Sequence, residues 1–267
     1  MIELPLLGRK KRKAIAISKI EYTEQSCNPI FGCSHACTYC FSRKQQVRYK
    51  QAASNADWHK PKMYDDFLIG LQEQIDAGQV KKDKEIFVST MTDVYQPAAV
   101  KYDVARKILI KLQDAGLIYR LLTKSPEIVR DIDILDGYEK GIAGLSITTN
   151  ISNDKQRKRW EPRTRSIKER LDALKKMSEH DIRLWSSVEP ILPETNITSM
   201  LDELLEHSQF NIEQIMIGKM NYQAGVDDLI DWEAAINVIE GYKSKYPDIY
   251  WHYKKETVAY LEKKGII

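Results

Sequence analysis

From Lys84 onward, short and almost wholly apolar runs alternate with segments of helical periodicity, and few architectures accept that pattern. The runs are Glu85–Ser89, Leu117–Thr123, Ile142–Thr149, Ile182–Val188 and Gln214–Gly218. Continuous apolar character, as opposed to alternation, is what a parallel strand needs when both its faces are covered. Between the runs, Val104, Ile108 and Leu112 fall on one helix face, as do Ile167, Leu171 and Leu174, and Leu201, Leu204 and Leu205. Start signals agree: Ser125-Pro126 reads as an N-cap followed by proline at the first helical position, and Ser166 with Glu169 forms a capping box. Gly116 and Gly141 sit where a helix hands over to the next strand.

With a first strand before Cys33, the pattern counts about six βα units. That number suits a doubly wound sheet or an open (β/α)6 barrel. The polar residues decide for the partial barrel. They gather at strand C-termini, at Ser89, Thr123-Lys124, Ser146 to Asn150 and Ser186 to Glu189, the rim where (β/α) barrels do chemistry. The predicted organisation is a basic N-terminal segment (1–18), the partial barrel (19–220), and a helix-strand-helix extension packed on it (221–267). The insertion between Phe41 and Lys84 reads as mostly helical.

A chain of 267 residues with 43% apolar and 30% charged residues suits one large globular domain. No apolar run approaches the roughly 18–20 residues that span a bilayer. At the N-terminus a brief apolar stretch precedes the basic run Arg9–Lys13, the reverse of a secretory signal, which predicts a cytoplasmic protein without a membrane partner.

All four cysteines, Cys27, Cys33, Cys37 and Cys40, lie in one short stretch. A disulfide framework would spread them along the chain, so clustered thiols point to a metal. Cys33-Ser34-His35-Ala36-Cys37-Thr38-Tyr39-Cys40 has the spacing C-x3-C-x2-C. Three thiolates on one loop can hold three irons of a cuboidal cluster and leave the fourth open to a small-molecule chelate. Structural zinc is the alternative, with Cys27 or His35 as fourth ligand, although zinc sites usually bring two separated C-x2-C pairs. Tyr39 suits a cofactor pocket, where an adenine can lie against the loop.

The stretch Asn28-Pro29-Ile30-Phe31-Gly32-Cys33 through Cys40-Phe41-Ser42-Arg43 resembles the radical S-adenosylmethionine (SAM) superfamily, and within it the branch of spore photoproduct lyase and the DNA repair photolyase-like proteins. Thr92 to Pro97, Leu122 to Ser125 with Arg130-Asp131, Leu145 to Thr149, Trp160 to Arg163 with Arg170-Leu171, and Val188 to Pro193 continue the resemblance, which covers about residues 26–195. It implies a radical SAM partial barrel. A [4Fe–4S] cluster on Cys33, Cys37 and Cys40 would bind SAM by its amino and carboxylate groups, and an electron donor such as flavodoxin or ferredoxin would drive its cleavage to a 5′-deoxyadenosyl radical. This chain departs from the pattern at Phe41-Ser42, where Tyr-Ala is common, at Val94 for proline, and at Ala99 for an acid. It also has no cysteine after Cys40, where spore photoproduct lyase carries its hydrogen donor. The resemblance therefore implies the SAM chemistry and leaves the repair reaction open.

By the same resemblance, Lys124 and Ser146 meet the SAM carboxylate, and a lysine at a strand end suits an anion. Ser89, Thr90 and Asp93 stand where the methionyl amino group binds, and Asp93 can equally cap the next helix. Thr148, Glu161 and Glu189 are candidate ribose or substrate contacts, with hydrogen bonding to the backbone at the strand ends as the equal alternative. Tyr95 is a candidate rim aromatic for substrate or radical relay, with packing as the alternative. His35 supports the loop, and Cys27 reads as a small buried residue. Lys155 to Arg170 holds eight basic and two acidic residues, a local net charge of +6 in a chain whose net charge is only +3. Arg157, Lys158, Arg159 and Arg163 could grip phosphates while Trp160 stacks on a base, and a solvated helix face is the alternative. Three functions stay open: a radical SAM enzyme on nucleic acid, one on a peptide or small metabolite, and a non-catalytic metal-stabilised binding protein.

Overall fold

A computed structural model describes residues 5–7, 13–208, 211–223 and 225–267; most of the basic run, residues 9–12, lies outside them. The strands are β1 (Leu6–Leu7), β2 (Ile15–Ile17), β3 (Gln25–Cys27), β4 (Ile30–Phe31), β5 (Lys62–Tyr64), β6 (Ile86–Val88), β7 (Tyr119–Thr123), β8 (Gly141–Ser146), β9 (Leu184–Val188), β10 (Ile212–Ile217) and β11 (Tyr250–Tyr253). Eight of them form the main sheet in the order β11-β10-β9-β8-β7-β6-β3-β2. Every pairing from β3 to β11 is parallel, and β2 alone runs antiparallel at one edge. Six parallel strands thus come from the predicted barrel and a seventh, β11, from the C-terminal extension. A small sheet, β1-β5-β4, stands beside them.

Helices cover the outside through the faces read from periodicity. Val104, Ile108 and Leu112 are buried on helix Val104–Asp114, Ile167, Leu171 and Leu174 on Ile167–Ser178, and Leu201, Leu204 and Leu205 on Ile197–His207. The Ser166/Glu169 capping box is formed in both directions. Gly116 turns at φ +66°, but the second hand-over turn is made by Gly137 at φ +72°, with Gly141 already in β8. Gly141 has another reason: an added Cβ would lie 2.6 Å from the Tyr119 ring. The segment 41–84 holds helices Phe41–Arg48, Asn55–Trp58 and Phe67–Asp76 and also β5.

The concave face has its own core. Phe87, Ile142, Trp185 and Met216 point inward from β6, β8, β9 and β10, with Ile20, Tyr22 and Leu122 packed on them. Tyr22, in the β2–β3 connection, lies 6.1 Å from Phe87, 6.4 Å from Trp185 and 5.9 Å from His252 of β11, ring to ring. Glu21 beside it bonds His252 Nε2 at 2.8 Å. This connection therefore bridges the two ends of the open sheet. Because the strands are parallel, their C-termini share one rim, and the residues following β3, β6, β7, β8, β9, β10 and β11 meet there.

Candidate functional site

The cysteine loop begins where β4 ends. Gly32, at φ +87°, brings the chain so close to Trp58 that a Cβ would lie 2.6 Å from its carbonyl, and Cys33 N donates to that carbonyl at 2.9 Å. No side chain fits there. The loop ends on the N-cap of helix Phe41–Arg48, where Cys40 Sγ accepts from Arg43 N. Bonds from distant segments hold the middle: Ser34 N to Gln96 Oε1 at 2.8 Å, Thr38 N to the Trp160 carbonyl at 2.8 Å, and Gln223 Nε2 to the Thr38 carbonyl at 3.1 Å.

All three thiols line one cavity of about 550 Å3 at the rim, together with Tyr39, Ser89, Thr90, Asp93, Lys124 and Ser146. Burial pushes each of the three thiols above its ordinary value, Cys37 up to about 12, so a metal would have to displace protons to bind. Cys27 faces the outer core, fully buried, and its thiol is likewise pushed up to about 12 by burial. It does not line the cavity.

Two buried carboxylates organise the rim. Asp93 faces His35 Nε2 at 3.0 Å and accepts from Thr123 Oγ1 at 2.8 Å, Lys124 N at 2.9 Å and Tyr95 N at 2.8 Å. One side chain thus ties the cysteine loop, the β6 exit and the β7 exit together. Burial would raise its carboxyl, but His35, Lys124 N–H and the Thr123 hydroxyl outweigh that and lower it to about 2. Glu161 is the second. Tyr39 OH and Arg170 Nη2 both donate to it, and Lys124 Nζ lies 3.5 Å away while donating to Ser146 Oγ at 2.6 Å. Against the cost of burial, Arg170 and Lys124 hold the Glu161 carboxyl well below the usual range.

Several expectations need correction. Glu161 is fully buried and does not line the cavity, so it supports Tyr39 and Lys124 from behind. Tyr95 is buried, its hydroxyl donating to Asp131 at 2.9 Å, in agreement with the packing role given as its alternative. Thr148 is buried outside the cavity lining. Arg157 cannot grip a phosphate: it is 2% exposed, and its guanidinium is taken by Asp154, Thr164 and the Glu161 carbonyl. Lys158, Arg159 and Arg163 are exposed and Trp160 half-buried, and none of the four lines the cavity. The far wall brings residues that sequence reasoning passed over. Lys254 Nζ lies 3.3 Å from Glu189, and Gly218 leaves the room, since a Cβ there would meet Glu189 Cγ at 2.5 Å. Nothing in the local sequence around Lys254 signals this, because β11 comes from the far end of the chain.

Three thiols from one loop are a donor set that would suit an iron–sulfur cluster. Among the described residues, no group of three or more His, Cys, Asp or Glu side chains is drawn together closely enough to hold a metal ion as the side chains stand. Ser34 Oγ, His35 Nδ1, Ser42 Oγ and Arg43 Nε, all on or just after the cysteine loop, are buried without hydrogen-bond partners. Native interiors rarely tolerate this. Of these four residues, His35 and Ser42 line the cavity with the three thiols, and a body of polarisable sulfur bound there would give that pair a polar neighbour.

Together these features define a partial-barrel α/β protein with a cysteine-lined cavity at the strand C-termini. The chain belongs to the family described as "Protein of unknown function (DUF5131)", whose model matches residues 17–235. It is 27% identical over 193 residues to an uncharacterized protein of Methanocaldococcus jannaschii, covering 72% of this chain and 70% of the relative. It is 27% identical over 208 residues to one of Acidianus two-tailed virus, covering 75% and 68%. The fold is shared with spore photoproduct lyase complexed with dinucleoside spore photoproduct (TM-score 0.66, 15% identity, 93% of this chain and 82% of that chain). A variant of that lyase with bound AdoMet and the same dinucleoside aligns at TM-score 0.63 and 15% identity, over 93% and 81%. Streptococcus suis SuiB bound to S-adenosylmethionine aligns at TM-score 0.56 and 10% identity, over 86% of this chain and 49% of that one. Among the described residues no helix is long and apolar enough to cross a membrane.

Proposed function

We propose that the chain is a cytoplasmic radical SAM enzyme in which Cys33, Cys37 and Cys40 hold a [4Fe–4S] cluster. The carrying observation is the placement of three thiols from one loop on the wall of a rim cavity, with Lys124 and Ser146 among its other lining residues. When bound, the cluster supplies the electron, received from a donor such as flavodoxin or ferredoxin, that cleaves SAM to a 5′-deoxyadenosyl radical. Lys124 offers the SAM carboxylate a cation, and Glu161 and Ser146 hold that ammonium in place. Ser89 and Thr90 offer hydroxyls to the amino group, while Asp93, already engaged by His35 and Thr123, fixes the rim that carries them. Tyr39, anchored through its hydroxyl to Glu161, presents its ring to the adenine. Walls made by Tyr22, Phe87 and Leu122 exclude water from the inner end. The solved structures of the same fold that hold SAM support this reading. Anaerobic reconstitution tests it: about four irons per chain and release of 5′-deoxyadenosine are expected, and stoichiometric zinc without iron uptake would refute it.

For the substrate, a nucleic acid is favoured over a peptide or small metabolite by one observation. The exposed Lys158, Arg159 and Arg163 belong to a segment whose backbone docks on the cysteine loop, through the Trp160 carbonyl to Thr38 N and through Arg163 N to the His35 carbonyl at 3.3 Å. That docking supports reading these cations as neighbours of the cavity mouth. Retention on heparin and a salt-dependent gel shift are the expected results.

A further inference from the structure

Ser42 stands two residues beyond Cys40, in the first turn of helix Phe41–Arg48, and lines the same cavity as the three thiols. It is 1% exposed. Cys40 is the N-cap of this helix, so Ser42 follows that thiol within one turn on the same stretch of lining. Its hydroxyl is buried with no hydrogen-bond partner. A serine in a helix ordinarily settles its hydroxyl on the carbonyl one turn back, or turns it to water. This one does neither, although leaving a buried donor unmade costs free energy. His35, a second residue of the same lining, likewise has a buried atom, Nδ1, without a hydrogen-bond partner.

We propose that the Ser42 hydroxyl is a hydrogen-bond donor to the sulfur of the bound cluster, at the Cys40 corner, and so sets the cluster's reduction potential. This rests on the cluster reading given above and goes beyond it. Hydrogen bonds to cluster sulfurs are one of the levers that fix such potentials, because a donor stabilises the more negative, reduced state. An alanine at this position keeps the helix and the thiols but has no proton to give. The hydroxyl therefore makes the cluster easier to reduce than it would be with alanine.

The test uses anaerobically reconstituted full-length protein without SAM, titrated with dithionite and read by electron paramagnetic resonance. Wild type, Ser42→Ala and Ser42→Thr are compared at equal iron content. Ser42→Ala should load the cluster, since alanine is the better helix former, and should hold the added electron about tenfold less tightly, a shift of about 59 mV to more negative potential. Ser42→Thr, which keeps a hydroxyl, should stay near wild type. Equal potentials in wild type and Ser42→Ala, or a shift of equal size in Ser42→Thr, would overturn the assignment while leaving the cluster reading intact. Failure of the wild type itself to take up iron would overturn both.

Discussion

The Lys124 ammonium and the Glu161 carboxylate lie 3.5 Å apart at the cavity floor, the lysine partly exposed and the glutamate sealed beneath it. The pair splits the work. Lys124 faces the cavity, and Glu161 fixes where it points while also holding Tyr39 and Arg170. Lys124→Ala should leave the cluster intact and weaken SAM binding by about 1.5–3 kcal/mol, the value of a hydrogen bond to a charged group. Equilibrium dialysis with labelled SAM checks it, and unchanged affinity would remove Lys124 from the SAM site.

Glu161→Gln should act mainly on stability. It leaves Arg170, which is fully buried, without its anion, and breaking a buried pair from one side costs about 3–5 kcal/mol. A lowered urea midpoint in the metal-free protein, with the slope unchanged, is the expected reading.

Asp93 gives a pH dependence with a definite sign. Its folded value of about 2 lies below the ordinary carboxylate value. The group therefore adds stability that is complete above about pH 4 and is lost as the pH falls toward 2. Asp93→Asn should be less stable than wild type at pH 6, and the gap should narrow between about pH 4 and pH 2. A gap that widens on acidification would contradict the pairing with His35 and Thr123.

Much of this was legible in the sequence because it depends on local pattern. Apolar runs gave the strands and their shared rim, so Lys124 and Ser146, each at the end of a neighbouring strand, were expected together and are 2.6 Å apart. The C-x3-C-x2-C spacing placed three thiols on one loop. On helix Asp154–Trp160 Arg157 alone was misplaced, because sequence shows the number of charges and not the face that docks. Arg157 turns inward while Lys158 and Arg159 beside it face out. Glu161 was singled out as a contact at the rim, but its burial was not legible, because its partner Arg170 is nine residues away across a turn. Tyr22 filling the gap between the sheet ends depends on sheet closure, which no local pattern reports.

Close packing on the concave face also makes a prediction. Gly144 leaves room for Trp185, and an added Cβ would lie 2.6 Å from that ring's Cδ1 with the Trp185 carbonyl closer still. Neither neighbour is the loose end of a flexible chain. Gly144→Ala should therefore cost about 1–3 kcal/mol, read as a lowered thermal midpoint, even though alanine itself suits a strand better than glycine.

The substrate prediction follows from the corrected set of exposed cations. Arg157 is spent inside the chain, so three residues, Lys158, Arg159 and Arg163, are left to meet phosphates. If each neutralises one phosphate of a single strand, the logarithm of affinity should fall with the logarithm of salt with a slope of roughly −0.7 per contact, or about −2 for the three. Replacing all three with Gln should remove that part of the slope and leave SAM cleavage without substrate unchanged, because none of them lines the cavity. Arg157→Gln should behave differently. It should lower stability, since it opens the bonds to Asp154 and Thr164, and should leave the salt slope of the folded protein alone. Trp160→Ala should cost about 1–3 kcal/mol of binding if a base stacks on the half-buried ring. A wild-type protein with no measurable affinity for DNA or RNA at low salt would make these cations a solvated face, and a peptide or small metabolite would become the better reading of the cavity.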